Sequence, residues 1–280
     1  MCCLKRVLCL LLASVTAATA SVIAGIAVPP AHAEELSAED LAKLAQNPVA
    51  NLISVPFQNN TNFNYGPERG VQDILNIQPV IPVPLSSQWN LVTRTIVPVI
   101  ANPSLGPSIG GVGGLGDVQI SGFLSPAAAG NWIWGIGSIL QLPTHSAVTL
   151  GNDNLGLGPT GVLLHLEKNS PWVFGALINN VWSLGTSPTA PAYSNGLLQP
   201  FINYNFKGGL YLTSSPIITM NWLASANQQL VLPLGGGIGK IFHLGKLPVN
   251  TQISAYYNVV RPDFGAEWQL RAQVQLMFPR

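Results

Sequence analysis

Residues 267–278 limit the possible folds more than any other part of the chain. Read alternately, Trp268, Leu270, Ala272, Val274, Leu276 and Phe278 form one face, while Gln269, Arg271, Gln273 and Gln275 form the other. Side chains on a strand alternate between its two faces, so this stretch is a strand with one apolar and one polar side. The apolar side carries an aromatic residue at each end. That is the form of a strand in an outer-membrane β-barrel: apolar toward lipid, polar toward the lumen, aromatic at both interfaces.

The same period of two runs on from Leu52. It predicts about twelve strands, an even number as in bacterial barrels, at 53–65, 71–84, 89–101, 117–125, 132–143, 156–167, 172–184, 196–206, 210–222, 228–243, 249–260 and 267–279. The predicted connections alternate in length. Those at 86–88, 126–131, 168–171, 207–209 and 244–248 are short, and those at 102–116, 144–155 and 185–195 are longer. With both termini in the periplasm, the short turns fall on the periplasmic side and the longer loops outside. All seven tryptophans lie near strand ends and on the apolar face. Trp89, Trp132, Trp134 and Trp172 mark the periplasmic ends, and Trp182, Trp222 and Trp268 the outer ends, as two aromatic girdles.

Composition agrees with this pattern. The chain is 48% hydrophobic and only 8% charged, far below the usual quarter of charged residues. Yet beyond the first 33 residues no apolar run is long enough to span a membrane as a helix. A barrel that turns one face of every strand to lipid accommodates such a chain. No basic patch points to nucleic acid. At the start, Lys5 and Arg6 precede an apolar run at 7–28 and then Ala31-His32-Ala33. This reads as a secretory signal cleaved after Ala33. Cys2, Cys3 and Cys9 all lie inside it, so the exported part has no disulfide, thiolate metal site or cysteine nucleophile. The expected place is the outer membrane of a Gram-negative bacterium, with its lipids and the barrel-assembly machinery as partners. Residues 34–52 read as a short helix, periplasmic or inserted in the lumen, because Ser37 and Asp40 have capping-box spacing ahead of Leu41, Leu44 and Ala45.

The polar faces define a lumen rich in amides and hydroxyls. The candidate solute contacts are Arg94, Arg271, His165, Glu167, Asn203, Gln252, Tyr256 and Gln273. The two arginines lead, since a charge in a largely neutral lumen needs a partner or water; Glu167 or Asp73 would be the internal partner. Such a lumen either lines a path for solute or closes on itself through side-chain packing. Proline recurs inside predicted strands, at Pro56, Pro79, Pro82, Pro98, Pro159, Pro200, Pro216 and Pro233. Each removes a ladder donor, so these positions are expected to be bulges; the sharper alternative is a lateral opening for an apolar solute.

No catalytic constellation is legible. His145 lies beside Ser146 in a predicted loop and His165 precedes Glu167 on a strand, whereas a triad needs its members in mutual contact. The histidines are too scattered for a metal site. Gly110-Gly111-Val112-Gly113-Gly114 is followed by neither Lys-Ser/Thr nor a helix, so it lacks the parts of a phosphate loop. The expectation is therefore a protein that is not an enzyme and takes no cofactor or metal.

Several short segments, in order, carry a resemblance: Leu41-Ala42-Lys43-Leu44-Ala45-Gln46-Asn47-Pro48, Tyr65-Gly66-Pro67, Gly114-Leu115-Gly116-Asp117, Leu164-His165-Leu166-Glu167-Lys168, Asn203-Tyr204-Asn205 and Pro233-Leu234-Gly235-Gly236-Gly237. They resemble a family of bacterial outer-membrane barrels described as transporters, some labelled "neuromedin U", related to proteins of phenol meta-pathway degradation. The resemblance implies a barrel and solute passage, and brings no substrate or catalytic residue. The expected function is passage of a small solute, aromatic or otherwise apolar; the alternative is a closed structural or surface-interaction barrel.

Overall fold

The computed structural model of the protein describes residues 36–106, 108–128, 130–186 and 190–279. The proposed signal segment lies outside them. Among the described residues one α-helix and fifteen strand segments follow in order: α1 (Ala38–Ala45), β1 (Ile53–Tyr65), β2 (Gly70–Ile77), β3 (Val80–Pro84), β4 (Trp89–Asn102), β5 (Val112–Leu115), β6 (Val118–Pro126), β7 (Trp132–Leu142), β8 (Gly156–Leu166), β9 (Trp172–Ser183), β10 (Ser194–Asn205), β11 (Leu210–Ser214), β12 (Ile218–Asn221), β13 (Leu230–Leu244), β14 (Leu247–Val260) and β15 (Trp268–Phe278). Each neighbour in the sheet is antiparallel, and β1 pairs with β15 from Ile53↔Phe278 to Phe63↔Trp268. The wall therefore closes. Segments β2/β3, β5/β6 and β11/β12 each form one interrupted wall strand, so the barrel has twelve strands. No helix among the described residues is long and apolar enough to cross a membrane.

The outward face is largely apolar. Phe57, Ile136, Ile178, Ile253 and Val274 stand exposed along the middle of the wall. Trp132, Trp134, Trp172, Trp182, Trp222 and Trp268 are also exposed at strand ends. Trp89 and Trp134 meet edge to face at 5.9 Å, and Tyr257 rests on Trp268 at 4.7 Å. A soluble fold would bury such a surface; here lipid is the medium that accommodates it.

The prolines divide into two groups. Pro56 faces Gln275 and Pro200 faces Ala176 within unbroken registers. At Pro79 the ladder is carried across by Gln78 N–H to Pro56 O (2.9 Å) and Thr95 N–H to Pro79 O (3.0 Å). Pro233 sits at a register shift against β14. Pro216 is different. β11 pairs with β13 as far as Thr213↔Gly237, and β12 resumes only at Thr219↔Val231. The intervening backbone is instead held by side chains: Ser215 N–H donates to the Tyr256 hydroxyl (3.2 Å), and Ser215 O accepts from Arg271 Nη1 (2.8 Å). The expected bulge is present at Pro233, whereas the wall keeps its register at Pro56, Pro82, Pro98 and Pro200, and at Pro216 the strand leaves its neighbour.

Candidate functional site

The lumen has two unlike halves. On β1, β14 and β15 the period of two puts amides inside, and they bond one another across strands. Gln275 donates to Ser54 Oγ (3.1 Å) and accepts from Asn250 Nδ2 (3.1 Å), whose Oδ1 accepts from the Tyr211 hydroxyl (2.8 Å). Farther along, Gln269 donates to Asn62 (3.0 Å), Asn62 to Gln72 (2.9 Å) and Gln72 to Asn102 (2.7 Å). Opposite glycines leave room for the rings of this half: a Cβ on Gly239 would strike the Tyr211 ring. On β4 and β6–β10 the interior is a hydrophobic core of Val92, Phe123, Val162, Leu164, Val173, Leu177 and Phe201, which Val49 of the N-terminal segment joins. The expectation of a polar lumen holds for one half only.

This second half corrects two predicted site residues. His165 pairs with Trp132 on the outward face of β8 and stacks on Phe174 at 5.2 Å. Its Nδ1 has no hydrogen-bond partner. The inward residues of β8 are Thr160, Val162 and Leu164. Glu167 lies in the exposed turn beyond β8, and its carbonyl accepts from Lys43 Nζ (2.9 Å). Because this half of the lumen is apolar, the rule that places polar residues inside selects the wrong face of β8. Asp73, considered as an internal partner for an arginine, is also outside the lumen: its register partner is Thr61, which donates to it at 2.7 Å.

Helix α1 closes the end of the barrel that carries both termini. Ser37 caps it, its Oγ accepting from Asp40 N–H (3.1 Å), which satisfies one of the free donors of the first turn. Its apolar residues Leu41 and Ala42 pack with Ala50, Leu52, Tyr211, Ile241 and Met277. Polar contacts fasten the plug to the turns around it. Lys43 Nζ donates to the carbonyls of Glu167 and Lys168 (2.9 and 2.6 Å). Gln46 and Asn205 exchange amide hydrogen bonds (2.8 and 3.2 Å), and Glu39 Oε1 accepts from Gly208 N–H (2.5 Å). That N–H, before any other cause, holds the Glu39 carboxyl below the usual carboxylate range. This plug is invisible to sequence reasoning apart from its helix, because three of these five hydrogen bonds use main-chain groups of the barrel turns.

Above the plug lies a cavity of about 150 Å³, roofed by the barrel wall and floored by residues 44–50. Arg94, Asn203, Gln252, Arg271 and Gln273 all line it, so five of the eight predicted contacts come together; Leu177 and Phe201 supply an apolar wall. A second space of about 650 Å³ lies toward the long loops, and no residue lines both. Arg271 spans the partition. It lines the inner cavity and donates to Asn60 Oδ1 (3.0 Å) and Gln269 Oε1 (3.1 Å), which line the outer space. Tyr256, the sixth predicted contact, is fully buried with the Arg271 guanidinium 4.8 Å above its ring.

At the long-loop end, His145 Nδ1 lies 2.7 Å from Asp117 and its Nε2 lies 3.3 Å from Asp153. Ser146 Oγ accepts from Leu115 N–H instead (3.0 Å). His145 and Ser146, neighbours in sequence, are thus committed to separate loop contacts. Among the described residues no group of histidines and carboxylates could hold a metal.

No protein-family model matches the chain, and no curated protein matches it. Solved structures do. The COG4313 outer membrane channel from Pseudomonas putida F1 has a TM-score of 0.59 at 14% identity, with 81% of this chain and 94% of that one covered. The NanC porin has a TM-score of 0.49 at 9% identity, covering 81% and 100%. Outer membrane phospholipase A from Escherichia coli has a TM-score of 0.42 at 14% identity, covering 87% and 98%. At these identities the likeness is one of fold. The expectation that the chain is not an enzyme is corrected to this extent: an outer membrane phospholipase, an enzyme, is among the structures it matches. The label carried by some members of the resembled family appears in none of the names of these three structures, an outer-membrane channel, a porin and a phospholipase.

Proposed function

We propose that the protein is an outer-membrane channel that passes a small solute, with the N-terminal plug as its gate. The observation that carries this reading is the stacking of an outer space, a partition at Arg271 and an inner cavity above a plug held by side-chain contacts. Strand pairing locks every wall strand, whereas α1 can leave without breaking a ladder. The match to a protein named as an outer-membrane channel supports the same reading. The solute is small, with an apolar body, because Leu177 and Phe201 face the amides across the cavity. Export through the signal segment and insertion by the barrel-assembly machinery belong to this proposal.

Conductance in a planar bilayer tests it. The native protein is expected to give small, steady steps, and Lys43→Ala larger ones, since it frees the plug from the 167–168 turn. Silence from both would overturn the channel reading. It would favour a closed barrel, for which the buried Arg271 partition speaks.

A further inference from the structure

We propose that the inner cavity is a binding site for a small organic monocarboxylate, held by the Arg94 guanidinium. The inference deepens the channel reading by naming its solute class.

Arg94 and Arg271 both line the cavity, and no acidic residue does. Among the described residues neither has a carboxylate partner; the recorded ion pairs involve Arg69, Arg261 and His145. Arg271 is nevertheless engaged by neutral groups at each of its three nitrogens, through Asn60, Ser215 and Gln269, and rests on the Tyr256 ring. Arg94 is not. Its recorded hydrogen bond goes from Nη2 to Gln78 Oε1 (2.5 Å). The only described side-chain polar atom sealed in protein without a partner is His165 Nδ1. The free donors of Arg94 are therefore not walled in; they open on the cavity. A guanidinium in a largely dehydrated interior needs an anion or strong acceptors, and its planar fork matches a carboxylate through two parallel hydrogen bonds.

The cavity also limits the body of the ligand. Its volume, about 150 Å³, is close to that of an engineered cavity that takes one benzene molecule. Phe201, Leu177, Val80 and Leu52 line it on the apolar side. One acid group with a single small ring or a short branched chain fills such a space. A dianion would bring a second charge against the apolar wall.

The test is a calorimetric titration of the refolded full-length barrel in detergent with benzoate, benzamide and inorganic phosphate as probes. Benzoate is expected to bind saturably, at least tenfold more tightly than benzamide or phosphate. Arg94→Gln should weaken benzoate at least tenfold, Arg94→Lys should restore part of the loss, and Arg69→Gln at the long-loop end should change nothing. Retained barrel circular dichroism in each variant certifies the fold. Equal binding of benzoate and benzamide, equal binding of phosphate, or an unchanged Arg94→Gln would overturn the proposal. The same titration on Lys43→Ala opens the plug, so absence of binding in both proteins would also overturn it. Benzoate binding without bilayer conductance would keep this site and remove the channel reading; conductance without binding would do the reverse.

Discussion

The two halves of the lumen solve one problem in opposite ways. Around β4 and β6–β10 the interior is sealed as a soluble protein's core would be, with Phe123 seated across from Gly137 and Phe201 across from Gly175. Around β1, β14 and β15 it is sealed by amides that satisfy one another, among them Asn250, Gln275 and Asn62. Apolar side chains fill volume without direction, so the first half packs as one continuous core. Amides must aim their donors and acceptors, and such a network leaves space wherever its geometry runs out. The inner cavity lies at the seam between the two, bounded by Phe201 on one side and Gln273 on the other. The comparison teaches that a cavity in a narrow barrel arises where two packing chemistries meet.

The largest expected effect separates the halves directly. Phe123→Ala should destabilise the barrel by about 3–5 kcal/mol, since it empties a packed core. Gln275→Ala should cost only about 1 kcal/mol, because Asn250 and Ser54 then face a cavity that can admit water. Guanidinium unfolding followed by tryptophan fluorescence measures both; equal losses would break the comparison. Of intermediate size is the plug. Lys43→Met keeps the side-chain volume and removes two charge-assisted hydrogen bonds, so α1 docking should weaken by about 1.5–3 kcal/mol, read as faster protease cleavage after Ala45 with the barrel intact. Were the plug held by its apolar face alone, cleavage would not change.

The smallest effect is in pH. The Glu39 carboxyl is lowered chiefly by the Gly208 N–H. A group whose pKa falls on docking adds stability above its undocked value, about 4.3, and that stability is lost as pH falls through the docked value. Plug protection should therefore be full at neutral pH and decline in acid, and Glu39→Gln should flatten the profile. A decline unchanged in that variant would assign the pH dependence to another group.

Much of this was legible in the chain. Strand number, the aromatic rims and the polar faces of β1, β14 and β15 follow from alternation, because there the two faces differ in chemistry. The plug helix follows from the Ser37 cap. Where both faces are apolar, alternation says nothing about direction. On β8, Leu163 faces out and Leu164 faces in, and only the pairing of His165 with Trp132 settles which is which. An aromatic whose cross-strand partner is glycine, as for Phe123, is the signal that could have revealed the apolar half.

By itself, then, the sequence determined a twelve-strand barrel with rims, a capped N-terminal helix and two arginines on inward faces. Only the tertiary structure decided that Arg271 is consumed by the partition while Arg94 faces open space, and that α1 enters the mouth. The reason is physical. Periodicity records what each residue's own face touches, whereas the partners of Arg271, Lys43 and Glu39 include main-chain groups of Ser215, Glu167, Lys168 and Gly208. Every residue carries such groups, so no side-chain pattern announces which of them will be used.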